Sequence, residues 1–389
     1  MQKSEIYLDY AATTPVDPRV IEKMTQVLGH DFGNASSVTH AFGWSAKAHI
    51  DQSREIAADF LKAETSEIIF TSGATESNNL AILGVAEACA LRSKTIVTIK
   101  TEHQATLKTV EHLAKKGYEV ILVGVDAEGK VLEDEFDAAM KSKPSLVSVM
   151  MVNNETGVIQ DIQKLSQKAK AAGAYFHVDA AQAAGKLTLD IKELGSDLLS
   201  LSAHKIYGPK GVGLLYARSH PRVPLRPLIF GGSQEGGVRP GTLATHQIVG
   251  LAEALTLAKA TFHQDATQAK MLSQELLSRL ALIPKIKING LKAERVPNIL
   301  NIQFSGLDAE ALLASLGGLA VSMGSACTSG TTEASHVLSA MGLSDLEANS
   351  SLRFSWGRFS TLSEIQCAAD SVVQAVTELR TLSPIWESA

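Results

Sequence analysis

The sequence contains few cysteines, three in 389 residues: Cys89, Cys327 and Cys367. Their number is odd, their spacing is wide and no CxxC pair occurs. The pattern therefore predicts neither a disulfide framework nor a zinc site. Unpaired thiols of this kind are typical of a reducing compartment. We expect a protein without a resident metal ion, in which Cys89 and Cys367 are small buried hydrophobic residues.

Long apolar runs and an excess of basic charge are also missing. The longest apolar stretch, residues 80–91, is interrupted by Glu87 and is too short to cross a bilayer. Residues 1–9 contain no apolar signal core. The 36 Lys and Arg against 41 Asp and Glu give a formal charge of -5, without the basic stripe of a general nucleic-acid binder. These absences predict a soluble cytoplasmic protein with neither a membrane nor a direct nucleic-acid partner.

What the sequence does contain is a repeated alternation of strand and helix patterns between about residues 65 and 220. The short strand patterns are rich in β-branched residues, as strands buried on both faces should be. Alternating strands and helices predict an α/β fold with a mostly parallel central sheet and helices on both faces. The predicted strands are residues 68–71, 95–99, 120–123, 146–152, 175–178, 198–201 and 212–216.

A Gly- and Pro-rich segment, residues 221–241, ends this alternation, and a long helical pattern follows at residues 245–282. Beyond it we predict a strand, a helix and a final helix, which together form a smaller C-terminal α/β domain. The predicted division is an N-terminal segment (1–15) that packs with the small domain, a large domain (16–263) and the small domain (264–389). The predicted elements of the small domain are residues 296–304 and 309–316, and a helix that begins near residue 363.

One candidate site follows the first predicted strand, in the sequence FTSGATE (residues 70–76). A turn of small residues leads into a helix, so the exposed amides and the helix dipole favour a phosphate there. Gly73 lets the backbone come close, and the hydroxyls of Ser72 and Thr75 can donate. Because such turns often only cap a helix, the motif alone leaves both interpretations open.

Two further polar side chains follow strands of the same predicted sheet. Asp179 could hold a protonated pyridine nitrogen, or it could simply cap the next helix. Lys205, in SAHKIYGP, could form a Schiff base with an aldehyde cofactor, although an isolated lysine is usually a solvated surface residue. A phosphate-type turn, an acid and a lysine in this order, each at a strand end, together predict a cofactor site.

Cys327 lies in the sequence GSACTSG, among glycines and hydroxyl residues. Such a segment has low packing demand, so we expect it to move. A cysteine that carries a group away must approach the cofactor and then leave it. Cys327 is therefore our candidate nucleophile.

Several segments of the sequence resemble the cysteine desulfurases of the NifS/IscS group, which are fold-type I pyridoxal-phosphate enzymes of aminotransferase class V. The resemblance runs from residue 8 to residue 358, nearly the whole chain. HVDAAQ and SAHK are typical of the class, and GSACTSG with RFSxGR narrows the resemblance to the desulfurases. The other segments that carry it are SGATESNN, TEHQA, VNNETG and RPGT.

The resemblance implies a role for each of several residues. Lys205 carries pyridoxal 5'-phosphate as a Schiff base, Asp179 pairs with its pyridinium nitrogen, and His103 stacks on the ring and acts as an acid or base. Thr242 reaches the phosphate from the other subunit of a homodimer. Arg353 and Asn154 bind the substrate. The remaining implied contacts are Asn154 and Gln182 to the ring hydroxyl and Ala74, Thr75, Ser202 and His204 to the phosphate.

The resemblance also implies the reaction: L-cysteine becomes L-alanine through a ketimine of the cofactor, and Cys327 keeps the sulfur as a persulfide. The sulfur then passes to an acceptor protein, an iron–sulfur scaffold or a thiolation relay protein, for iron–sulfur cluster assembly or tRNA or cofactor thiolation. The Cys327 persulfide could transiently ligate a cluster. The sequence does not identify the acceptor.

Other interpretations of the same residues stay open at the level of sequence. His103 could be a half-buried structural histidine, residues 153–157 could be only a turn, and Arg353 or Arg358 could belong to an internal ion pair. A selenocysteine lyase or another class V lyase or transaminase would use the same cofactor. A catalytically idle scaffold for sulfur transfer is the alternative from a different class.

Overall fold

The computed structural model describes residues 5–324, 334–382 and Trp386. Its strands, numbered in chain order, are β1 (Ile6–Tyr7), β2 (Ile68–Thr71), β3 (Thr95–Ile99), β4 (Glu119–Val123), β5 (Leu146–Met150), β6 (Tyr175–Asp179), β7 (Leu198–Ser202), β8 (Gly213–Ala217), β9 (Ile286–Ile288), β10 (Ile299–Phe304), β11 (Leu319–Ala320) and β12 (Ser351–Ser355). Its α-helices are α1 (Pro18–His30), α2 (Ala41–Leu61), α3 (Ala74–Ala88), α4 (Gln104–Lys115), α5 (Glu133–Met140), α6 (Ile162–Ala171), α7 (Ile191–Leu194), α8 (Thr245–Leu280), α9 (Ala309–Ser315), α10 (His336–Ala340), α11 (Asp345–Ala348) and α12 (Leu362–Leu382). Short 3-10 helices span Thr65–Glu67, Ala203–Lys205 and Gln234–Gly237.

The central sheet has seven strands in the order β2-β8-β7-β6-β5-β3-β4. Strand β8 is antiparallel to both neighbours, and the other adjacent pairs are parallel. Successive residues enter different hydrophobic cores on the two faces: Ile96 and Leu146 pack in one, Val97 and Val147 in the other. This double burial explains the continuous apolar runs in these strands. The predicted α/β fold with a mostly parallel sheet is confirmed.

Several details differ from the sequence-based expectation, among them the start of one strand, two helices and the burial of one cysteine. Strand β10 begins at Ile299, not at residue 296, because Pro297 has no N–H to donate to a ladder. Helices α1 and α2 were not predicted. The expectation that Cys367 is buried is wrong: it is exposed, because the buried stripe of α12 runs through Ile365, Ala368 and Val372 on another face.

A separate core lies against the three-stranded antiparallel sheet β12-β10-β9. Residues from α9 and α12 build it, and Leu8 joins it from the N-terminus. Strand β1 also pairs with β11. These contacts support the division at residues 15 and 263, which we keep as a proposal.

Helix α8, 36 residues long, connects the two regions. Its first half buries Ile248, Leu251 and Leu255 in the core of the central sheet, and its second half buries Leu272 and Leu276 in the separate core. Among the described residues, no helix is both long enough and apolar enough to span a membrane.

Gly213 at the start of β8 permits a close backbone approach beneath the turn between β2 and α3. A Cβ at this position would lie 2.4 Å from the carbonyl oxygen of Leu201 and 2.7 Å from Cα of Gly73. We expect Gly213→Ala to lower the free energy of unfolding by about 1–3 kcal/mol through overpacking, measured by urea denaturation. Gly29→Ala in α1 is the matched control, because nothing lies within 4 Å of its added Cβ. Equal stability of the two variants would contradict the prediction.

Candidate functional site

The carboxyl ends of the parallel strands β2, β3, β5, β6 and β7 meet at one edge of the sheet, where a cavity of about 410 Å³ opens. Its volume lies in the range typical of small-molecule sites. Ligands bind at this edge in open α/β sheets, because the loops that follow the strands converge there. The structure brings these predicted residues together in the cavity wall: Ala74, Thr75, His103, Asn154, Asp179, Gln182, Ser202, His204, Lys205 and Arg353.

The turn after β2 has the geometry of an anion site. Gly73 adopts φ 149°, a conformation that favours glycine, and α3 starts at the next residue and runs for 15 residues. The first backbone N–H groups of α3 therefore lie beside the cavity, at the end of the helix where the helix dipole favours negative charge. Ser202 borders the same turn, and its Oγ would lie 3.6 Å from a Cβ at Gly73.

His204 lies beside this turn, and its Nδ1 shares a hydrogen bond of 3.2 Å with the hydroxyl of Thr13. Burial, together with the positive charges of Lys205 and Lys210, lowers the pKa of His204 to about 4. His204 is therefore neutral at pH 7. It can donate or accept a hydrogen bond there, but it contributes no charge to an anion.

Asp179, the last residue of β6, is a buried carboxylate with a fixed orientation. Its Oδ2 accepts a hydrogen bond of 2.7 Å from Nδ2 of Asn78, and its Oδ1 accepts one of 2.9 Å from the backbone N–H of Ala181. Two donors hold the carboxyl plane in place, so the group presents a positioned negative charge to the cavity.

Lys205 ends the short 3-10 helix that follows β7. Its Nζ donates to the carbonyl oxygens of Ala11 and Ala12, at 2.6 and 2.7 Å. The N-terminal segment thus holds the amine at the cavity wall. Asp179 ends β6 and Lys205 lies just beyond the neighbouring strand β7, so the pairing of these strands brings the two residues to the same edge of the sheet.

His103 is the N-cap of α4, and its Nδ1 accepts a hydrogen bond of 3.1 Å from the backbone N–H of Ala105. The neutral ring therefore carries its proton on Nε2. Burial lowers the pKa of His103; the charge of Asp179 opposes this shift, and Lys205 and His336 add to it. The imidazole is neutral at pH 7.

Glu102, the residue before His103, is a buried carboxyl beneath the cavity. Its Oε1 accepts a hydrogen bond of 2.6 Å from the backbone N–H of Met150. Burial raises the pKa of Glu102 well above its usual range, and the negative charge of Asp179 raises it further. Burial thus favours the protonated, uncharged form of the Glu102 carboxyl.

Arg353 on β12 combines the two interpretations that the sequence left open. Its side chain lies in the cavity wall and is only 1% exposed. It also forms an ion pair of 2.7 Å with Asp9 and donates to the backbone oxygen of Asn154 at 3.0 Å. Arg358, in contrast, belongs to an internal network with Asp17 and Asp265.

Two predicted residues are not part of the described cavity. Cys327 lies outside the described residues, which resume at residue 334 after Gly324. On either side of this gap the chain contacts one buried carboxylate: Oγ of Ser335 donates to Oε2 of Glu155 at 2.5 Å, and a Cβ on Gly324 would lie 3.1 Å from the same oxygen. Thr242 is exposed and does not line the cavity of the single chain.

Sequence reasoning missed several groups that hold the site. Asn78 lies four residues after Ala74 on α3, so helix periodicity could have placed it on the face that meets the sheet. Lys186 donates to Gln182 four residues earlier in the chain. The carbonyl oxygens of Ala11 and Ala12 leave no signal in the sequence, because every residue has one.

Taken together, these groups suit a ligand with an anionic end and a basic ring nitrogen. The same cavity is lined by a helix N-terminus, a fixed carboxylate and an amine. The donor set fits pyridoxal phosphate, whose phosphate, pyridine nitrogen and aldehyde require these three kinds of partner.

Comparison with known proteins agrees with this geometry. The model of the aminotransferase class-V family matches residues 6–367. The protein named Cysteine desulfurase IscS from Vibrio atlanticus (strain LGP32) is 49% identical over 387 residues, which cover 99% of this chain and 96% of that protein. Its namesake from Shewanella sp. (strain ANA-3) is 48% identical over the same shares of the two chains. A solved NifS-like protein is 36% identical, with a TM-score of 0.89, and the match covers 96% of this chain and all of that one.

Proposed function

The chain belongs to the aminotransferase class-V family, and from this membership and the cavity we infer that it is a cysteine desulfurase, which converts L-cysteine to L-alanine and passes on the sulfur. Its cofactor is pyridoxal 5'-phosphate. One observation carries the proposal: Lys205 and Asp179 follow adjacent strands and share one cavity with the turn at Gly73. A carboxylate, an amine and an anion site in one wall are what this cofactor requires.

We assign the residues that would hold the cofactor as follows. Lys205 binds the aldehyde carbon, Asp179 pairs with the ring nitrogen and His103 stacks on the ring. Asn154 and Gln182 donate to the ring hydroxyl. Ala74, Thr75, Ser202 and His204 surround the phosphate. When bound, pyridoxal phosphate supplies an aldehyde for the substrate amine and a ring that accepts electrons from Cα.

The chain's own groups bind the substrate and move its protons. Arg353 pairs with the substrate carboxylate, for which its planar fork is suited, and Asn154 lies beside it. Lys205 takes the proton from Cα once its amine is released. His103, whose ring is neutral at pH 7, can accept a proton from the reacting substrate and return it as an imidazolium.

Cys327 takes the sulfur in this proposal. Its thiolate attacks the γ-sulfur of the substrate, a sulfur–sulfur bond forms, and the bond between Cβ and sulfur breaks. The electron pair of the broken bond stays with the alanine skeleton, and a proton completes the methyl group. The products are L-alanine and a persulfide on Cys327, which passes its outer sulfur to an acceptor protein. The acceptor that we propose is an iron–sulfur scaffold or a thiolation relay protein.

We propose that the working form is a homodimer in the cytoplasm, in which Thr242 of the partner subunit reaches the phosphate. Large apolar side chains support an interface: Phe32 is 71% exposed and Phe230 is 88% exposed. Phe230 precedes Gly231, which lies against Pro240 in the RPGT segment that contains Thr242. Aromatic side chains are enriched in the interfaces between protein subunits.

The experiment that tests the function uses the purified protein with added pyridoxal phosphate and L-cysteine. We expect visible absorbance from the bound cofactor and, with a thiol reductant that cleaves the persulfide, equimolar release of L-alanine and sulfide. A colourless protein even after cofactor addition would favour the idle scaffold. Faster turnover of L-selenocysteine, without persulfide formation on cysteine, would favour the lyase alternative.

The lowered pKa of His103 predicts the acid limit of turnover. Protonation removes the neutral form, so the rate falls only as the pH drops through a pKa below the ordinary value of 6.5. We expect the part of the decline in kcat/KM that depends on His103 to be centred below pH 6.5, apart from the titration of the thiol groups. His103→Gln should remove this decline and lower kcat by about 10²–10⁴-fold. A decline centred above pH 6.5, or the same decline in the variant, would assign it to another group.

A further inference from the structure

Lys186 contacts the cavity residue Gln182 but does not itself line that cavity. The proposed reaction gives Lys186 no role. Its Nζ donates to both oxygens of Gln182, the backbone O and Oε1, each at 2.9 Å. The chain reaches Lys186 through Gly185, whose φ of +70° favours glycine. The turn at Gly185 therefore brings Lys186 into contact with Gln182, four positions earlier.

These bonds fix which end of the Gln182 amide faces the cavity side. Oε1 accepts from Lys186, and Nε2 donates to the carbonyl oxygen of Ala11 at 2.8 Å. A flipped amide would place its NH₂ against the lysine donors and its oxygen against the carbonyl of Ala11. Both contacts would be repulsive, so Lys186 and Ala11 select one orientation. The amino end of Gln182 is thereby kept on the side of the N-terminal segment and Lys205.

The charge state of Lys186 does not disturb this arrangement. Burial, together with the positive charge of Lys205, lowers its pKa to about 7. Lys186 and Lys205 also border a second cavity of about 60 Å³, whose other ionisable side chains are Tyr207, Asp265 and Arg358. A neutral lysine still has two N–H groups, enough for both oxygens of Gln182.

We propose that Lys186 is a positioning residue, which holds Gln182 so that its amide nitrogen donates to the negatively charged ring oxygen of the bound cofactor. The inference rests on the proposed function, because it assumes pyridoxal phosphate in the cavity. It adds a residue that acts on the cofactor through another side chain. Lys186 itself touches neither cofactor nor substrate.

The test replaces Lys186 by methionine, which keeps the chain length and removes the donors. We expect pyridoxal phosphate to bind about tenfold more weakly, since a charge-assisted contact is lost. A donor to the ring oxygen favours the form in which the Lys205–cofactor linkage has lost its proton, and so does a nearby positive charge. We therefore expect the pH at which the visible absorbance changes to rise by about 1 pH unit in Lys186→Met.

Two comparisons separate positioning from a merely structural role. In a Gln182→Ala background, Lys186→Met should produce no further loss of affinity, because the lysine acts through that amide. Lys186→Arg, which keeps the donors, should recover most of the affinity, and Lys192→Met, at an exposed lysine, should leave both readouts unchanged. Additive losses in the double variant, or an unchanged affinity and absorbance profile in folded Lys186→Met, would overturn the inference.

The same series keeps this inference apart from the proposed function. If the wild-type protein binds pyridoxal phosphate and forms L-alanine while Lys186→Met behaves identically, only the role of Lys186 is wrong. If the wild-type protein neither binds the cofactor nor turns over L-cysteine, the proposed function itself fails.

Discussion

Cys327→Ala should abolish the conversion of L-cysteine to L-alanine, while the visible absorbance of the bound cofactor is unchanged. The proposed nucleophile takes the sulfur from the substrate, and without it the bond between Cβ and sulfur has no acceptor. We expect a loss of more than about 10³-fold in alanine formation, since covalent transfer and its acceptor disappear together. Alanine release and protein-bound sulfur, measured in single turnover, check the prediction.

The chain offers a matched control for this substitution. Cys367 is an exposed thiol on α12. Cys367→Ala should leave turnover unchanged, because Cys367 does not line the cofactor cavity. A Cys327→Ala variant that forms alanine at the wild-type rate would show that another group accepts the sulfur. Loss of protein-bound sulfur in Cys367→Ala would point to that cysteine.

Sequence patterns predicted the sheet and its functional edge because both depend on local signals. Buried parallel strands require apolar β-branched runs, and the residue after each strand necessarily reaches the carboxyl edge. Asp179 and Lys205 were found in this way, because each is a polar residue at the end of a predicted strand. The resemblance to a known family added Arg353, whose position on β12 no local pattern connects to the central sheet.

The groups that orient these residues could not be predicted, because they depend on contacts distant in sequence. Lys205 donates to Ala11 and Ala12, about 190 residues away, through backbone oxygens that carry no sequence signature. Asn78 reaches Asp179 across 101 residues. Such contacts follow from packing α3 and the N-terminal segment onto the sheet, which periodicity alone does not specify.

Burial of single residues on amphipathic helices is set by helical phase and not by residue type. Cys367 was expected to be buried because cysteine is usually an interior residue. Its exposure follows from the phase of α12, in which Ile365 and Val372 lie on the buried stripe and residue 367 does not. The identity of the residue gave the wrong answer, and its position in the helical repeat gives the right one.

Lys205→Arg should eliminate turnover by more than about 10⁴-fold, because covalent attachment of the cofactor and proton removal at Cα are lost together. The guanidinium stays protonated at all accessible pH values, so it can neither form a Schiff base nor act as a base. Its donors can still reach the oxygens of Ala11 and Ala12, so we expect the fold to survive. The measurements are the visible absorbance after cofactor addition, reduction with borohydride followed by mass spectrometry of the labelled peptide, and kcat for alanine.

Lys210→Arg is the control for this substitution, since Lys210 also lines the cavity and carries the same charge. We expect that variant to keep the borohydride-trapped label on Lys205 and to turn over L-cysteine. L-Cysteine can still react with pyridoxal phosphate that is bound without a covalent link to the protein. Lys205→Arg with added pyridoxal phosphate should therefore bind L-cysteine yet release no alanine. If borohydride labels another lysine of the wild-type protein, or if Lys205→Arg turns over at the wild-type rate, the cofactor-binding amine is not that of Lys205. In that case the cofactor ring would have to lie in another orientation relative to the fixed carboxylate of Asp179.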